Sequence, residues 1–361
     1  MGREKNCTAQ IGEKFMSQPL FSIVMPVYNM ENYLQQAVDC IRKQTMDDYE
    51  LILVNDASKD HSLEICRRNE GEKIHVVDLK KNGGLSNARN EGLSIAKGKY
   101  ILFLDPDDTY AHDLLEKLDN AVRQYQPDLL IYGLKEEYYN ANGKVEYEKV
   151  IEPRSVLNKD KKSIYAHVLE LESKTLFGYA WNKCYRTELL KEKGIRFKKV
   201  KMIEDIQFNL EVLPYVKSMK TLEIDPYSYA IRPNASLTHQ HLADYFQLHT
   251  TRIQLFLEEY ERNMPELLEA CKQTMAPIYC RYLLSAIARY DQPDLKHWLS
   301  QVFDSSLFQT LYPYMRFTGK KKWIYGPIRS KNAVLCIVAG KSAGFVKEKL
   351  PSLFAKAKQT R

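Results

Sequence analysis

The chain has 361 residues, 44% hydrophobic and 27% charged, a globular balance that excludes a disordered chain. Its net charge of +7 is uneven: Arg316 to Arg361 holds 12 Lys/Arg against one acid, Glu348, while the remainder carries 41 bases against 45 acids. That distribution argues against nucleic acid as a partner of the main domain and for an anionic partner at the C-terminal end. No run of eighteen apolar residues occurs; the longest candidate, Ala333 to Gly340, is too short to span a bilayer, and Met1 to Gln18 shows no apolar signal-type segment. Seven cysteines, at 7, 40, 66, 184, 271, 280 and 336, form no Cys-x-x-Cys pair, so neither a zinc site nor a disulfide framework is expected, and a reducing compartment is.

The first 130 residues alternate strand and helix signals. Phe21–Val27 is a continuous apolar run, and Leu34, Ala37, Val38 and Ile41 then fall on one helical face. Strands are predicted at Leu51–Val54, Ile74–Val77, Tyr100–Leu104 and Leu129–Tyr132, with helices at Leu63–Arg68, Leu85–Ala96 and Leu114–Tyr125 between them. Apolar runs without alternation suit strands covered on both faces, as in a mostly parallel sheet built from βαβ units. Tyr138 to Glu148 contains Asn142-Gly143 between alternating stretches, a hairpin signal. Residues 243–290 read as helical, Gly319 and Pro327 are expected to break the segment after them, and a last helix is expected over about 343–359, apolar on one side and lysine-rich on the other. The expected organisation is an extension over 1–19, an α/β domain over 20–240 and a helical region with a basic tail over 241–361.

In open α/β sheets, ligands bind outside the carboxyl ends of the strands. Those ends carry Pro26-Val27-Tyr28-Asn29, Asn55-Asp56-Ala57-Ser58, Asn82-Gly83-Gly84 with Arg89 in the following helix, and Asp105-Pro106-Asp107-Asp108. Each is ordinary alone: Asp-Pro and Asp-Asp favour turns and helix caps, and Asp56 could cap a helix. Together they gather an aromatic ring, an arginine and several acids on one edge. Three carboxylates in four residues are expected to repel unless a cation is present, which suits Mg²⁺ or Mn²⁺ with substrate phosphates completing the shell. Gly83-Gly84 lacks the Gly-x-Gly-x-x-Gly spacing of a dinucleotide site, and Walker A spacing is absent.

In order and at matching spacing, these motifs resemble those of the family 2 glycosyltransferases, enzymes of the GT-A fold. The likeness covers roughly residues 20–235. It implies an inverting, metal-dependent transfer of a sugar from a nucleotide-sugar, usually UDP-linked, to a hydroxyl of a glycan or lipid-linked glycan. It further implies that Tyr28 and Asp56 hold the uracil, that Pro26 and Arg89 lie near the nucleotide, and that Asp105 and Asp107 handle ribose and metal. It places the base in the Glu204-Asp205 pair, at Asp205. Trp181 and Asn182 would line the acceptor side, Glu204 would position substrate, and Arg232 would lie near the diphosphate. The proton transfer can be argued from chemistry alone, because an attacking hydroxyl is a poor nucleophile until a carboxylate within hydrogen-bond reach takes its proton. Two other readings stay open: a nucleotidyltransferase making the activated sugar, and a catalytically inactive sugar-binding scaffold. The tail, with Lys320-Lys321-Lys322 beside Trp323 and Tyr325, reads either as a solvated face or as a surface for an anionic membrane. The expected location is cytoplasmic, with peripheral attachment to the inner face of the membrane.

Overall fold

The computed structural model describes residues 18–140, 142–200, 202–232 and 244–349. The expected boundary at 240, most of the expected N-terminal extension and the end of the expected last helix lie outside these residues. The first half runs β1 (Phe21–Val27), α1 (Leu34–Arg42), β2 (Tyr49–Asn55), α2 (Ser62–Asn69), β3 (Ile74–Asp78), α3 (Leu85–Ile95), β4 (Tyr100–Phe103), β5 (Thr109–Tyr110), α4 (Leu114–Tyr125) and β6 (Leu129–Tyr132). It continues with β7 (Leu134–Tyr139), β8 (Val145–Ile151), β9 (Leu157–Asn158), α5 (Lys161–Ser173), β10 (Lys183–Arg186), α6 (Thr187–Glu192), α7 (Glu204–Val212), β11 (Met219–Leu222) and β12 (Tyr227–Ile231). Helices α8 (Tyr245–Asn263), α9 (Leu268–Arg289), α10 (Leu295–Asp304), α11 (Ser306–Leu311), α12 (Gly319–Arg329) and α13 (Ala333–Lys349) complete it.

Every residue of β1 and β2 is buried, which is why their sequences run apolar without alternation. The main sheet has the order β3-β2-β1-β4-β10-β6-β11-β9. Strands β1 to β4 are mutually parallel, as the sequence implies, whereas β10 pairs antiparallel with both β4 and β6. This architecture, a GT-A sheet with a helical C-terminal region, is the one expected. The hairpin around Asn142-Gly143 is present as β7 and β8, with Gly143 at φ +72° in its turn. It belongs to a second sheet, β5-β12-β7-β8, in which β5, at two residues, is too short to show a period and β12 is not among the expected strands.

The C-terminal helices join the core of the sheet domain. Phe177 meets Phe256 edge-on at 5.9 Å, and the Tyr260 hydroxyl donates to the Tyr165 carbonyl at 2.7 Å. Two expectations fail here. Pro327 does not break the chain but lies inside α12, and the last helix begins at Ala333, ten residues earlier than expected. The apolar run Ala333 to Gly340 is thus the start of that helix. Tyr325, expected at the surface beside Trp323, is buried against Phe317 at 5.1 Å.

Candidate functional site

The carboxyl ends of β1 to β4 lie side by side, and four loops leave that edge. Tyr28 is exposed at the end of β1, while Pro26 is buried within it opposite Val54. Asp56, at the end of β2, is buried. Its Oδ1 accepts from the Gly83 N–H at 2.7 Å and its Oδ2 from the Gly84 N–H at 2.8 Å. The sequence reading gave this carboxylate to a nucleobase; in the structure both oxygens tie the second strand end to the third. Gly84, which opens α3 at φ +87°, takes a conformation that a side chain would resist. Ala57 (φ 55°) and Met202 (φ 66°) stand left-handed beside Asp56 and the Glu204-Asp205 pair. Such strain costs on the order of 1–3 kcal/mol and persists only where the surroundings impose it.

The three clustered acids each make separate contacts. Asp105 Oδ1 accepts from Arg89 Nη2 at 3.0 Å, and the Asp105 carbonyl accepts from the Tyr110 hydroxyl. Asp107 turns outward, its side chain 37% exposed, with Arg232 Nη1 at 4.0 Å from its Oδ2 and Arg232 Nη2 donating to its carbonyl at 2.9 Å. Asp108 is buried, accepting from the Tyr227 hydroxyl at 2.6 Å and the Ala230 N–H at 2.9 Å. Each acid has its own protein partner, yet the expected repulsion remains: besides burial, the Asp107 charge raises both Asp105 and Asp108. Burial lifts Asp108 well above the carboxylate range and pushes Asp105 up to about 6, outweighing the pull of Arg89.

Arg89 joins two halves of the site. Its side chain, only 1% exposed, donates to Asp105 through Nη2 and to Asp205 Oδ1 through Nη1, and its guanidinium lies 5.3 Å from the Phe197 ring centre. It was expected at the nucleotide; it lies beneath the surface as a strut between the fourth strand end and the start of α7. Asp205 Oδ2 accepts from the Ala180 N–H at 2.9 Å. Glu204, in the first turn of α7, is pushed up to about 7 by burial and then by the adjacent Asp205 charge. Its Oε2 is buried and has no hydrogen-bond partner among the described residues.

The segment 176–183 supports this pair. Trp181 is buried in a stack between Tyr227 at 4.1 Å and Tyr179 at 4.4 Å, with Tyr229 at 5.4 Å. Asn182, expected to line the acceptor side, is wholly buried. Its Nδ2 donates to the Tyr132 and Leu176 carbonyls, each at 3.0 Å, and its Oδ1 accepts from Lys183 Nζ at 2.8 Å. Lys183 also donates to the Leu176 carbonyl at 3.1 Å, and burial pushes its ammonium down to about 7. Trp181 and Asn182 thus brace the loop that presents Ala180.

Residues 22–193 match the sequence model of glycosyl transferase family 2. The chain carries a family 2 glycosyltransferase domain. EpsJ of Bacillus subtilis, an uncharacterized glycosyltransferase, is 29% identical over 321 residues, spanning 84% of this chain and 89% of EpsJ. The poly(ribitol-phosphate) beta-glucosyltransferase of Bacillus spizizenii is 33% identical over 214 residues, spanning 58% of this chain and 31% of that protein. Among solved structures, S. aureus TarS 1-349 in complex with UDP-GlcNAc superposes with a TM-score of 0.63 at 20% identity, covering 89% of this chain and 90% of that one. This likeness is one of fold.

Three residues of this glycosyltransferase that sequence reasoning missed connect its helices to the site. Arg252 of α8 pairs with Glu172 of α5 and donates to the Tyr282 hydroxyl of α9 at 3.1 Å. A Cβ on Gly178 would stand 3.0 Å from Arg252 Nη2, so Arg252 rests directly on the loop that holds Asp205 through Ala180. Glu172 and Arg252 lie 80 positions apart in ordinary helical stretches, and no spacing links them. A cavity of about 1200 Å³ lies elsewhere, at the amino ends of the strands, lined by Tyr49, Lys73, Gly98 and Arg186 among others; none of the site acids borders it.

Proposed function

We propose that this glycosyltransferase takes a sugar from a UDP-linked nucleotide-sugar and attaches it, with inversion, to a hydroxyl of a glycan or lipid-linked glycan in cell-envelope polymer assembly. The observation that carries the reading is the Arg89 strut. It fixes Asp105, on the donor edge, and Asp205, on the acceptor edge, to one guanidinium and so sets their separation before any substrate arrives. The UDP-GlcNAc held by TarS and the poly(ribitol-phosphate) substrate in the name of the Bacillus spizizenii relative support the substrate class.

The donor lies along the strand ends. Tyr28 offers an exposed ring for the base, above an edge kept rigid by Asp56 and the glycine pair. Asp107, exposed, and Asp105 are hard oxygen donors of the kind Mg²⁺ or Mn²⁺ takes. Among the described residues no group of three or more metal-ligating side chains forms, so the two acids fit an ion that completes its shell with donor phosphates and water. When bound, such an ion neutralises the charge that builds on the departing diphosphate. Arg232, held over Tyr33 at 4.5 Å and Tyr139 at 5.2 Å, is a further cation beside Asp107 that can face the diphosphate.

On the acceptor edge Asp205 takes the hydroxyl proton as the oxygen attacks. Single displacement needs one base and no covalent intermediate, and a positioned carboxylate contributes about 10²–10⁴-fold. Glu204 offers a second reading, favoured by its unpartnered Oε2 and its shift to about 7, near the pH at which a base works best. Replacing each in turn separates them. Asp205→Asn is expected to lower kcat by about 10²-fold or more at unchanged donor KM, with Glu204→Gln staying within a few-fold. The reverse outcome assigns the proton to Glu204, and a wild-type rate in both variants removes the pair from the chemistry. We further propose that the basic region 316–361 attaches the enzyme peripherally to the inner face of the cytoplasmic membrane, where a lipid-linked acceptor would reside.

A further inference from the structure

Helix α13 reads Ala-Val-Leu-Cys-Ile-Val-Ala-Gly-Lys-Ser-Ala-Gly-Phe over residues 333–345, apolar around its whole circumference apart from Lys341 and Ser342. A helix of that kind is normally enclosed by protein or lipid. Among the described residues, only one side of α13 is enclosed. Cys336 and Gly340 are buried; a Cβ on Gly340 would stand 2.5 Å from Ile287 Cγ2 and one on Gly344 2.9 Å from Ala288 Cβ, so the two glycines seat the helix tightly on α9. The opposite side carries Val334, Leu335, Val338 and Phe345, each 50–61% exposed. Positions 334, 338 and 345 recur at i, i+4 and i+11 and form one stripe. Trp323 of α12 is 86% exposed.

Charge decides what covers this face. Lys320, Lys321, Lys322, Lys331 and Lys341 are exposed around it, Lys331 lying 4.3 Å from the Tyr312 ring centre and Lys341 donating to the Tyr290 carbonyl at 2.6 Å. With 12 basic residues and one acid between Arg316 and Arg361, a second copy docked face to face would bring two strongly positive surfaces together. An anionic bilayer satisfies both halves of the pattern: lysines among the headgroups, tryptophan and aliphatic side chains at the acyl boundary. No helix among the described residues is long and apolar enough to cross a membrane, so the contact lies in the plane of the surface.

We propose that the outer face of α12 and α13 is an interfacial docking surface for an anionic lipid bilayer, with Trp323, Val334, Leu335, Val338 and Phe345 entering the boundary region. This deepens the attachment given under the proposed function. It adds an apolar component to a purely electrostatic one, and only its tie to a lipid-linked acceptor rests on the enzymatic reading. The same helix, α9, that seats α13 places Tyr282 against Arg252 at the catalytic loop, so the docking face and the acceptor side share one rigid element.

The test uses the full chain with vesicles of phosphatidylcholine alone and of an equal mixture with phosphatidylglycerol. The wild type is expected to sediment with the mixed vesicles only, to keep part of that binding at high salt, and to shift its tryptophan emission to the blue. Trp323→Ser alone should abolish the shift, because of the three tryptophans Trp181 is buried in its stack and Trp298 packs against Phe246 and Tyr290. The combined Trp323→Ser, Val338→Ser and Phe345→Ser chain should lose the salt-resistant fraction. Lys320→Gln, Lys321→Gln and Lys322→Gln together should weaken binding about a hundredfold at low salt, about fivefold per basic residue. All variants should keep the wild-type melting curve and donor hydrolysis, so a failed donor assay would count against the proposed function and not against the docking face. Equal binding to neutral vesicles, or unchanged binding by the serine chain, overturns the proposal. A dimer that dissociates on the serine substitutions would assign the face to a second copy instead. Stronger binding after removal of residues 350–361, despite the loss of three basic side chains, would show that this segment covers the stripe, and would overturn it as well.

Discussion

At the ligand edge, Asp56, Asp105, Asp107, Asp108 and Asp205 each meet a donor or cation within the protein, whereas along α12 and α13 most of the described basic residues pair with no described acid and an apolar stripe stays half exposed or more. The first arrangement fixes carboxylates in place and raises the cost of disturbing them. The second leaves charge and apolar area in the same exposed surface, where neither contributes to folding. Removing a partner should therefore be costly in one region and nearly free in the other.

The sharpest break of that contrast is Arg89→Met. It leaves Asp105 and Asp205 buried or half-buried without their cation, and truncating one partner of such a pair costs about 3–5 kcal/mol. Chemical denaturation should show a correspondingly lower midpoint, together with lost transfer; an unchanged midpoint would mean the strut carries no structural charge. Asp108→Ala comes next. It orphans the Tyr227 hydroxyl and the Ala230 N–H, worth about 2–4 kcal/mol together, and the same denaturation curve reads it.

Glu204 gives a pH-dependent effect of a few degrees. Burial raises its carboxyl above the value it has in an unfolded chain, so between the ordinary glutamate range and about 7 the folded protein holds a proton that the unfolded one has released. Its contribution makes stability fall as pH rises through that window. Glu204→Gln should remove this slope, gaining stability over the wild type at pH 8 and little at pH 4. Parallel melting curves for the two proteins across that range would contradict the assignment. The smallest effect belongs to the appendage: Lys320→Glu, Lys321→Glu and Lys322→Glu together should change stability by no more than about 0.5 kcal/mol, because these side chains are exposed and pair with no acid among the described residues. A larger loss in the melt would show that the basic face takes part in folding after all.

Much of the first half of the fold was legible because it is local. Buried parallel strands must be apolar on both faces, amphipathic helices must repeat at 3.6 residues, and strand ends must carry the ligand groups, so Phe21–Val27, the α1 face and the four loop motifs could be read in order. The hairpin at Asn142-Gly143 was legible for the same reason, since a turn residue at φ +72° announces itself as glycine. Tertiary structure alone decided the orientation of each functional side chain. A sequence cannot show that Arg89 turns inward to Asp205, 116 positions away, rather than outward to a nucleotide. Nor can it show that Asp108 folds under Tyr227, that Asn182 braces backbone carbonyls, or that Arg252 of a distant helix rests on Gly178. Composition set how much apolar surface α13 carries; only packing against α9 determined that half of it stays outside, because burial depends on which elements meet, and that is a property of the whole chain.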